Sequence, residues 1–399
     1  MDSTRLSARI NELEESQTIG MSKLSRELSE KGIDIINLSL GEPDFDTPIH
    51  IREAAKRAID EGYTHYPPIS GFMDLRKVIS EKFKRENHLD YAPSQIVVST
   101  GAKQAIANVV LSLVNKDDEV IIPKPYWVSY IEIVKLAQGK TVFIPSSVES
   151  NFKITPDQLE KSITPHSKLF IFSSPCNPTG TVYTREELAA FAKVFEKHKH
   201  VFILSDEIYE HINYSGKHET IAQFAELKDR VIIVNGVSKS FAMTGWRIGY
   251  SVSPLWLAQA CDKMQGQFTS GASSISQKAA EAALSNGLES TRTMCAAFHR
   301  RRDLMLTLLR EIPNITVNEP QGAFYVFPDV SFYLGKNAGE KKLIDLHDLC
   351  MYLLHTAHVS TVPGTAFGDE RCIRISYSAS EENIIAAVSR IKNALLSLK

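Results

Sequence analysis

Between residues 96 and 252 the chain alternates strand-length apolar runs with stretches of helical periodicity, and this alternation constrains its fold more than any other feature. The apolar runs are Ile96–Ser99, Val120–Pro123, Thr141–Ile144, Leu169–Phe172, Val201–Leu204, Val231–Val234 and Arg247–Val252. Between several of them lie helix-like stretches such as Gln104–Val114 and Thr184–Lys197, the second opening with the capping-box spacing of Thr184 and Glu187. Such a pattern predicts an α/β domain with a largely parallel sheet between helices. The remainder differs. A long helix over Glu289–Leu309, Phe324–Pro328, a helix from Leu343 to His355, strand-like Thr361–Val362 and Cys372–Tyr377, and a helix over Glu381–Leu398 read as a smaller α+β unit. A chain of 399 residues has room for both.

Groups capable of chemistry follow the strand runs. After Val231–Val234 comes a glycine turn, then Ser238, Lys239 and, eight residues on, Arg247. A lysine just beyond a buried strand is poorly hydrated, so its ammonium form is disfavoured and its amine becomes a nucleophile toward an aldehyde. An arginine and a hydroxyl beside it suit a phosphate. Amine, phosphate clamp and aldehyde together point to pyridoxal 5′-phosphate. Asp206 ends Val201–Leu204, where a carboxylate can reach a crevice at the sheet edge and hold a pyridine nitrogen protonated. Tyr209 follows three residues later, and Asn177 sits in the rigid Pro-Cys-Asn-Pro turn after Leu169–Phe172; both can donate to the cofactor's phenolic oxygen. Ile96–Ser99 runs through Gly101, Ala102 and Lys103 into a helix whose free N–H groups suit a phosphate. Taken singly, a capping aspartate, a turn asparagine and a surface lysine explain these positions as well. Cys176 reads as packing.

The segments LGEPDFDTP (40–48), YPPISGFMDLR (66–76), TGAKQA (100–105), PYWVSY (125–130), SPCNPTG (174–180), SDEIYE (205–210), SKSFAMTGWRIGY (238–250), GAFYVF (322–327), VPGTAFG (362–368) and CIRISYS (372–378) run in one order over nearly the whole chain. Together they resemble the class I pyridoxal-phosphate-dependent aminotransferases of fold type I, in particular the bacterial aspartate and prephenate aminotransferases. The resemblance implies a large domain over 49–290, with a mostly parallel seven-stranded sheet. It implies a small α+β domain built from 1–48 and 291–399, and a homodimer with shared sites. It makes Lys239 the residue bonded to the cofactor and the proton shuttle. Asp206 becomes the pyridinium partner, and Asn177 and Tyr209 the phenolic-oxygen donors. Arg247, Ser238 and the amides around Gly101, Ala102 and Lys103 become phosphate ligands, Trp127 stacks on the ring, and Tyr66 reaches the neighbouring subunit's cofactor phosphate.

For the substrate, the resemblance gives the α-carboxylate to Arg374, whose strand-like alternation Ile373–Tyr377 puts its bidentate fork on one face, with the Gly41 N–H beside it. The arginine that a neighbouring subunit supplies in animal-like aspartate aminotransferases has no counterpart in TSGASS (269–274). In the bacterial subgroup a lysine at the phosphate-binding helix replaces it, which here is Lys103, assisted by a hydroxyl at Ser16. A solvated helix-end lysine is the plainer reading of Lys103. The expected reaction is amino transfer from aspartate to 2-oxoglutarate, with prephenate, aromatic or broad specificity, or a β-lyase reaction, as alternatives. One departure is Gly236, where the family often carries a second hydroxyl three residues before the lysine.

Composition narrows the rest. A formal net charge of −2 gives no reason to expect nucleic acid, and no apolar run approaches the roughly 20 residues of a membrane span. The amino terminus, STRLSARINELEESQ, is polar and helical in pattern rather than a signal core. Five scattered cysteines without CxxC spacing suit reduced thiols in a cytoplasm. Twelve histidines without HExxH spacing predict no metal site. A transcriptional regulator carrying an aminotransferase-like sensor is disfavoured, because the stretch before the first small-domain strand is too short for a helix-turn-helix unit.

Overall fold

The computed structural model describes residues 5–399. Its centre is a seven-stranded sheet of β1 (Ile96–Ser99), β2 (Glu119–Pro123), β3 (Lys140–Ile144), β4 (Ser167–Ser173), β5 (Phe202–Asp206), β6 (Val231–Gly236) and β7 (Gly249–Val252), in the order β1-β7-β6-β5-β4-β2-β3. β7 pairs antiparallel with both β1 and β6, while the other pairings are parallel. Side chains alternate across the sheet, and each face has its own core. Val98, Ile121, Phe170, Phe172, Ile203, Val231 and Ile233 pack on one side. Val97, Val120, Ile122, Leu169, Ile171, Leu204, Ile232 and Val234 pack on the other. Apolar runs covered on both faces are what a parallel sheet between helices requires.

One helix places part of the site. α2 (Ala102–Leu113) starts directly after β1, with Gly101 as N-cap at φ +84°. α3 (Arg185–Lys197) covers the sheet and carries the expected capping box: the Thr184 hydroxyl accepts from the Glu187 N–H at 3.3 Å and Glu187 accepts from the Thr184 N–H at 2.7 Å.

A third core joins the two ends of the chain. Met21 from α1 (Gln17–Glu30), with Ile36 and Leu38, packs with residues of α4 (Glu289–Arg310) and α5 (Glu381–Leu396). Ile36–Asn37 pairs in parallel with Val359–Ser360. β8 (Tyr325–Val326), β9 (Val362–Pro363) and β10 (Ile373–Ser376) form an antiparallel sheet in the order β9-β10-β8.

Some boundaries differ from the sequence pattern. β7 begins at Gly249 rather than Arg247, because Arg247 lies in the left-handed region at φ +57° and cannot extend a ladder there. The helix expected from Leu343 begins at Leu346, where the Asp345 side chain caps it by accepting from the Asp348 N–H at 2.9 Å; it passes into a π turn over Leu353–Ala357. Among the described residues the polar amino terminus forms an α-helix over Ala8–Asn11 before α1, and residues 1–4 of the expected small-domain segment lie outside the described residues.

Candidate active site

The carboxyl ends of β4, β5 and β6, the start of α2 and the face of β10 converge on one cavity of about 570 Å³. Of the residues singled out from sequence, Gly41, Ala102, Lys103, Trp127, Asn177, Asp206, Tyr209, Ser238, Lys239, Arg247 and Arg374 line it.

Lys239 sits just beyond β6, and its ammonium donates to the Gly41 carbonyl. Burial lowers its pKa to about 8; Glu42 opposes this, and Arg374 and Arg247 reinforce it. Burial has the opposite sign at Asp206, raising its carboxyl to about 6. Two donors limit that rise: the Tyr130 hydroxyl at 2.7 Å and the Ile208 N–H at 3.2 Å. Asp206 is therefore a desolvated carboxylate in want of a cation, at the base of the same cavity as an easily deprotonated amine.

The α2 corner is cut to a tight shape. A Cβ on Gly101 would lie 2.9 Å from the Arg247 guanidinium carbon, and one on Gly249 would strike the Ala102 amide nitrogen. The backbone thus brings Arg247 close to the free N–H groups at the start of α2, with buried Ser238 beside them. Gly236 has a separate reason to lack a side chain: its Cβ would lie 2.8 Å from the Ile248 carbonyl, in the crossing between β6 and β7. A hydroxyl cannot be held at that position in this backbone.

Arg374 on β10 is 2% exposed. Nη1 donates to Asn177 Oδ1 at 3.1 Å and Nη2 to the Ser39 carbonyl at 2.6 Å, while buried Nε has no partner. Its charge lies 4.5 Å from the Tyr325 ring centroid and 5.0 Å from that of Phe367, with no carboxylate in salt-bridge range among the described residues. Burial lowers its pKa. The Tyr209 and Tyr325 hydroxyls meet at 2.8 Å. Lys103 lies over the Trp127 ring at 5.2 Å, its pKa lowered by burial and by Arg247.

Three sequence candidates lie elsewhere. Gly101 shapes the corner from behind without lining the cavity. Ser16 does not line it either, but its hydroxyl meets that of Thr18 at 2.7 Å, and Thr18 does. Tyr66 is 93% exposed and belongs to a separate concavity with residues 271–275. The sequence reading missed Thr18, Ser22, Lys23 and Arg26 on α1, and also Glu42, Tyr130, Thr244 and Tyr325, all of which line the cavity. The amphipathic pattern of α1 was the available signal, without any indication of where the helix docks.

In all, six cationic side chains (Lys23, Arg26, Lys103, Lys239, Arg247 and Arg374) face two acids, Glu42 and Asp206. This excess selects anionic ligands. An amine with a lowered pKa, a buried acid that lacks a cation, and a cationic corner at a helix start fit an aldehyde phosphate with a protonatable ring nitrogen. Unpaired Arg374 fits a carboxylate.

Comparison with known proteins agrees. The family model for aminotransferase class I and II matches residues 33–391. A Petunia hybrida protein named bifunctional aspartate aminotransferase and glutamate/aspartate-prephenate aminotransferase is 48% identical over 99% of this chain and 83% of its own length. The aspartate/prephenate aminotransferase of Cereibacter sphaeroides is 47% identical over 97% of this chain and 98% of its own. The crystal structure of the Rhizobium meliloti aspartate aminotransferase superposes with a TM-score of 0.94 at 41% identity, covering 99% of both chains. The chain belongs to the class I and II aminotransferases. It is a pyridoxal-phosphate-dependent enzyme that moves amino groups between amino acids and 2-oxo acids.

Proposed function

We propose that this aminotransferase takes aspartate as its principal amino donor and passes the amino group to 2-oxoglutarate. The observation that carries the reading is the cavity's excess of six cations over two acids, with Arg374, Lys103, Lys23 and Arg26 all in its lining. A single carboxylate offsets less of that excess than a dicarboxylate does. The names of the relatives from petunia and Cereibacter support the same donor.

In this reading bound pyridoxal phosphate supplies an electron sink for the substrate α-carbon. Arg247, Ser238 and the N–H groups of Ala102 and Lys103 hold its phosphate, and Asp206 holds its ring nitrogen. Trp127 covers the ring, and Asn177 and Tyr209 hold the phenolic oxygen. Lys239, with a pKa near 8, is basic enough to accept the α-proton on Nζ and weak enough to return it near neutral pH. Arg374 and the Gly41 N–H orient the α-carboxylate, and Lys103, assisted by Thr18 and Ser16, takes the distal one. Residues 1–48 and 291–399 act as one small unit over a large unit of 49–290, supported by their shared core. The active form is a cytoplasmic homodimer, a reading supported by exposed Tyr66, which has nothing to contact within its own chain's cavity.

Steady-state kinetics of the holoenzyme with aspartate, glutamate, arogenate, phenylalanine and alanine test this. Aspartate is expected to give the highest kcat/KM. A higher value for alanine or phenylalanine overturns the reading. Prephenate as acceptor is the second reading, favoured by the relatives' names and by the same distal cations, since prephenate also carries a distal carboxylate.

A further inference from the structure

Tyr325 on β8 is fully buried, and its hydroxyl makes one bond, to the Tyr209 hydroxyl at 2.8 Å. Neither hydroxyl has another hydrogen-bond partner among the described residues. Space around the Tyr325 oxygen is tight: a Cβ on Gly41 would lie 3.1 Å from it. The Tyr209 ring is held edge-on by two neighbours, Phe324 at 5.5 Å and Tyr325 at 6.0 Å between centroids. With the ring fixed, what remains free is rotation of its O–H bond.

Two hydroxyls carry two protons, and the bond between them uses one. If Tyr209 donates, the Tyr325 proton is left in a fully buried place without an acceptor, and that group's desolvation goes uncompensated. If Tyr325 donates, its proton is satisfied, and the Tyr209 proton is free to point into the cavity that Tyr209 lines. The second order leaves no buried donor unmatched once an acceptor occupies the cavity. Tyr325 has a further contact there. It pairs with Ser376 on β10, two residues from Arg374, and the Arg374 guanidinium carbon lies 4.5 Å from its ring centroid. The side chain that meets Tyr209 therefore also seats Arg374.

We propose that Tyr325 is a positioning residue for amino transfer: its hydroxyl donates to Tyr209 and so turns the Tyr209 hydroxyl toward the cofactor's phenolic oxygen. The inference rests on the reading that Tyr209 holds that oxygen, and Tyr325 acts through Tyr209 alone in this role.

The test titrates the visible absorbance of the holoenzyme with pH, which follows the proton on the cofactor-bonded Lys239 nitrogen and needs no turnover. A phenolic oxygen with a weaker donor carries more negative charge and holds that proton more firmly, so the midpoint rises. Tyr325→Phe keeps the ring beside Arg374 and is expected to raise the midpoint by roughly half a pH unit or more, the scale of one altered hydrogen bond. Tyr209→Phe is expected to raise it further. In the Tyr209→Phe background, Tyr325→Phe is expected to move it by less than about 0.2 unit, because the hydroxyl it orients is gone. Should Tyr325→Phe fail to fold, a fluorinated tyrosine at position 325, more acidic and so a stronger donor, carries the test with the opposite sign. An unmoved midpoint in Tyr209→Phe overturns the reading of Tyr209 and this proposal with it. A raised midpoint in Tyr209→Phe with none in Tyr325→Phe, or an equal Tyr325→Phe shift in both backgrounds, overturns this proposal alone.

Discussion

Replacing Arg374 with methionine separates a binding group from a structural one. The guanidinium is 2% exposed, has no carboxylate partner among the described residues, and has one nitrogen with no acceptor. Its pKa is lowered by burial, so folding disfavours the cation. Methionine removes that unpaired charge, which offsets the loss of two hydrogen bonds to Asn177 and the Ser39 carbonyl, each worth about 1 kcal/mol net. The stability of the ligand-free protein should therefore change by no more than about 1 kcal/mol. Substrate binding should suffer far more. Two charge-assisted hydrogen bonds to a carboxylate are worth about 1.5–3 kcal/mol each, so kcat/KM should fall by roughly 10²–10⁴ for every amino acid alike. A dicarboxylate such as succinate should raise the thermal midpoint of the parent and leave that of the variant unmoved. Unfolding in urea and steady-state kinetics measure the two halves. A ligand-free destabilisation well above about 2 kcal/mol, or a loss of kcat/KM below ten-fold, refutes the reasoning.

Four further outcomes are expected. Lys82 is fully buried against Glu210, whose carboxyl, despite burial, is held well below the usual range chiefly by the Lys82 ammonium. Lys82→Met strands that charge and should cost about 3–5 kcal/mol in urea unfolding, while Lys82→Met with Glu210→Gln should recover more than half; a single variant within about 1 kcal/mol of the parent contradicts this. Because the folded pKa of Glu210 is depressed, its stabilisation is present above the unfolded value near about 4.3 and is lost as the pH falls below it. With Lys239 near 8, capture of pyridoxal phosphate by the cofactor-free protein should quicken about five-fold from pH 7 to 8 and level off above 9; a tenfold rise per unit continuing to pH 10 excludes the lowered amine. Lys103→Ala should raise KM for aspartate at least ten-fold and leave that for an apolar amino acid within two-fold, and equal effects on both remove Lys103 from the distal carboxylate.

The central sheet was legible because burial on both faces leaves a local mark. The runs Leu169–Phe172, Val201–Leu204 and Val231–Val234 are apolar without interruption, and the residues after each include a polar group that lines the cavity. Asp206, Asn177 and Lys239 were readable for that reason. Tyr130 was not, because its bond to Asp206 spans 76 positions and nothing near either residue announces the other. The same holds for Tyr325 against Tyr209, 116 positions apart. Ser16 was read where Thr18 lines the cavity, since the face that a helix turns toward a pocket is set by tertiary docking. The start of β7 was misplaced because a left-handed residue such as Arg247 has no signature in a run that otherwise reads as strand.

The way α1 docks bears on how the ligand-free site is balanced. Lys23 and Arg26 on α1 line the same cavity as Lys103, Arg247 and Arg374, with Glu42 and Asp206 the only acids in that lining among the described residues. Like charges that line one cavity repel one another, though less at exposed Lys23, Arg26 and Arg247 than at buried Arg374, whose unpartnered Nε adds a desolvation cost. Both penalties shrink when anions enter: a phosphate at the α2 corner, a carboxylate at Arg374 and a second carboxylate toward α1. The helix that covers the site is thus held against it more firmly with a dianion bound than without one. Donor preference then has an electrostatic cause, because an amino acid without a distal carboxylate leaves the repulsion around Lys103, Lys23 and Arg26 in place.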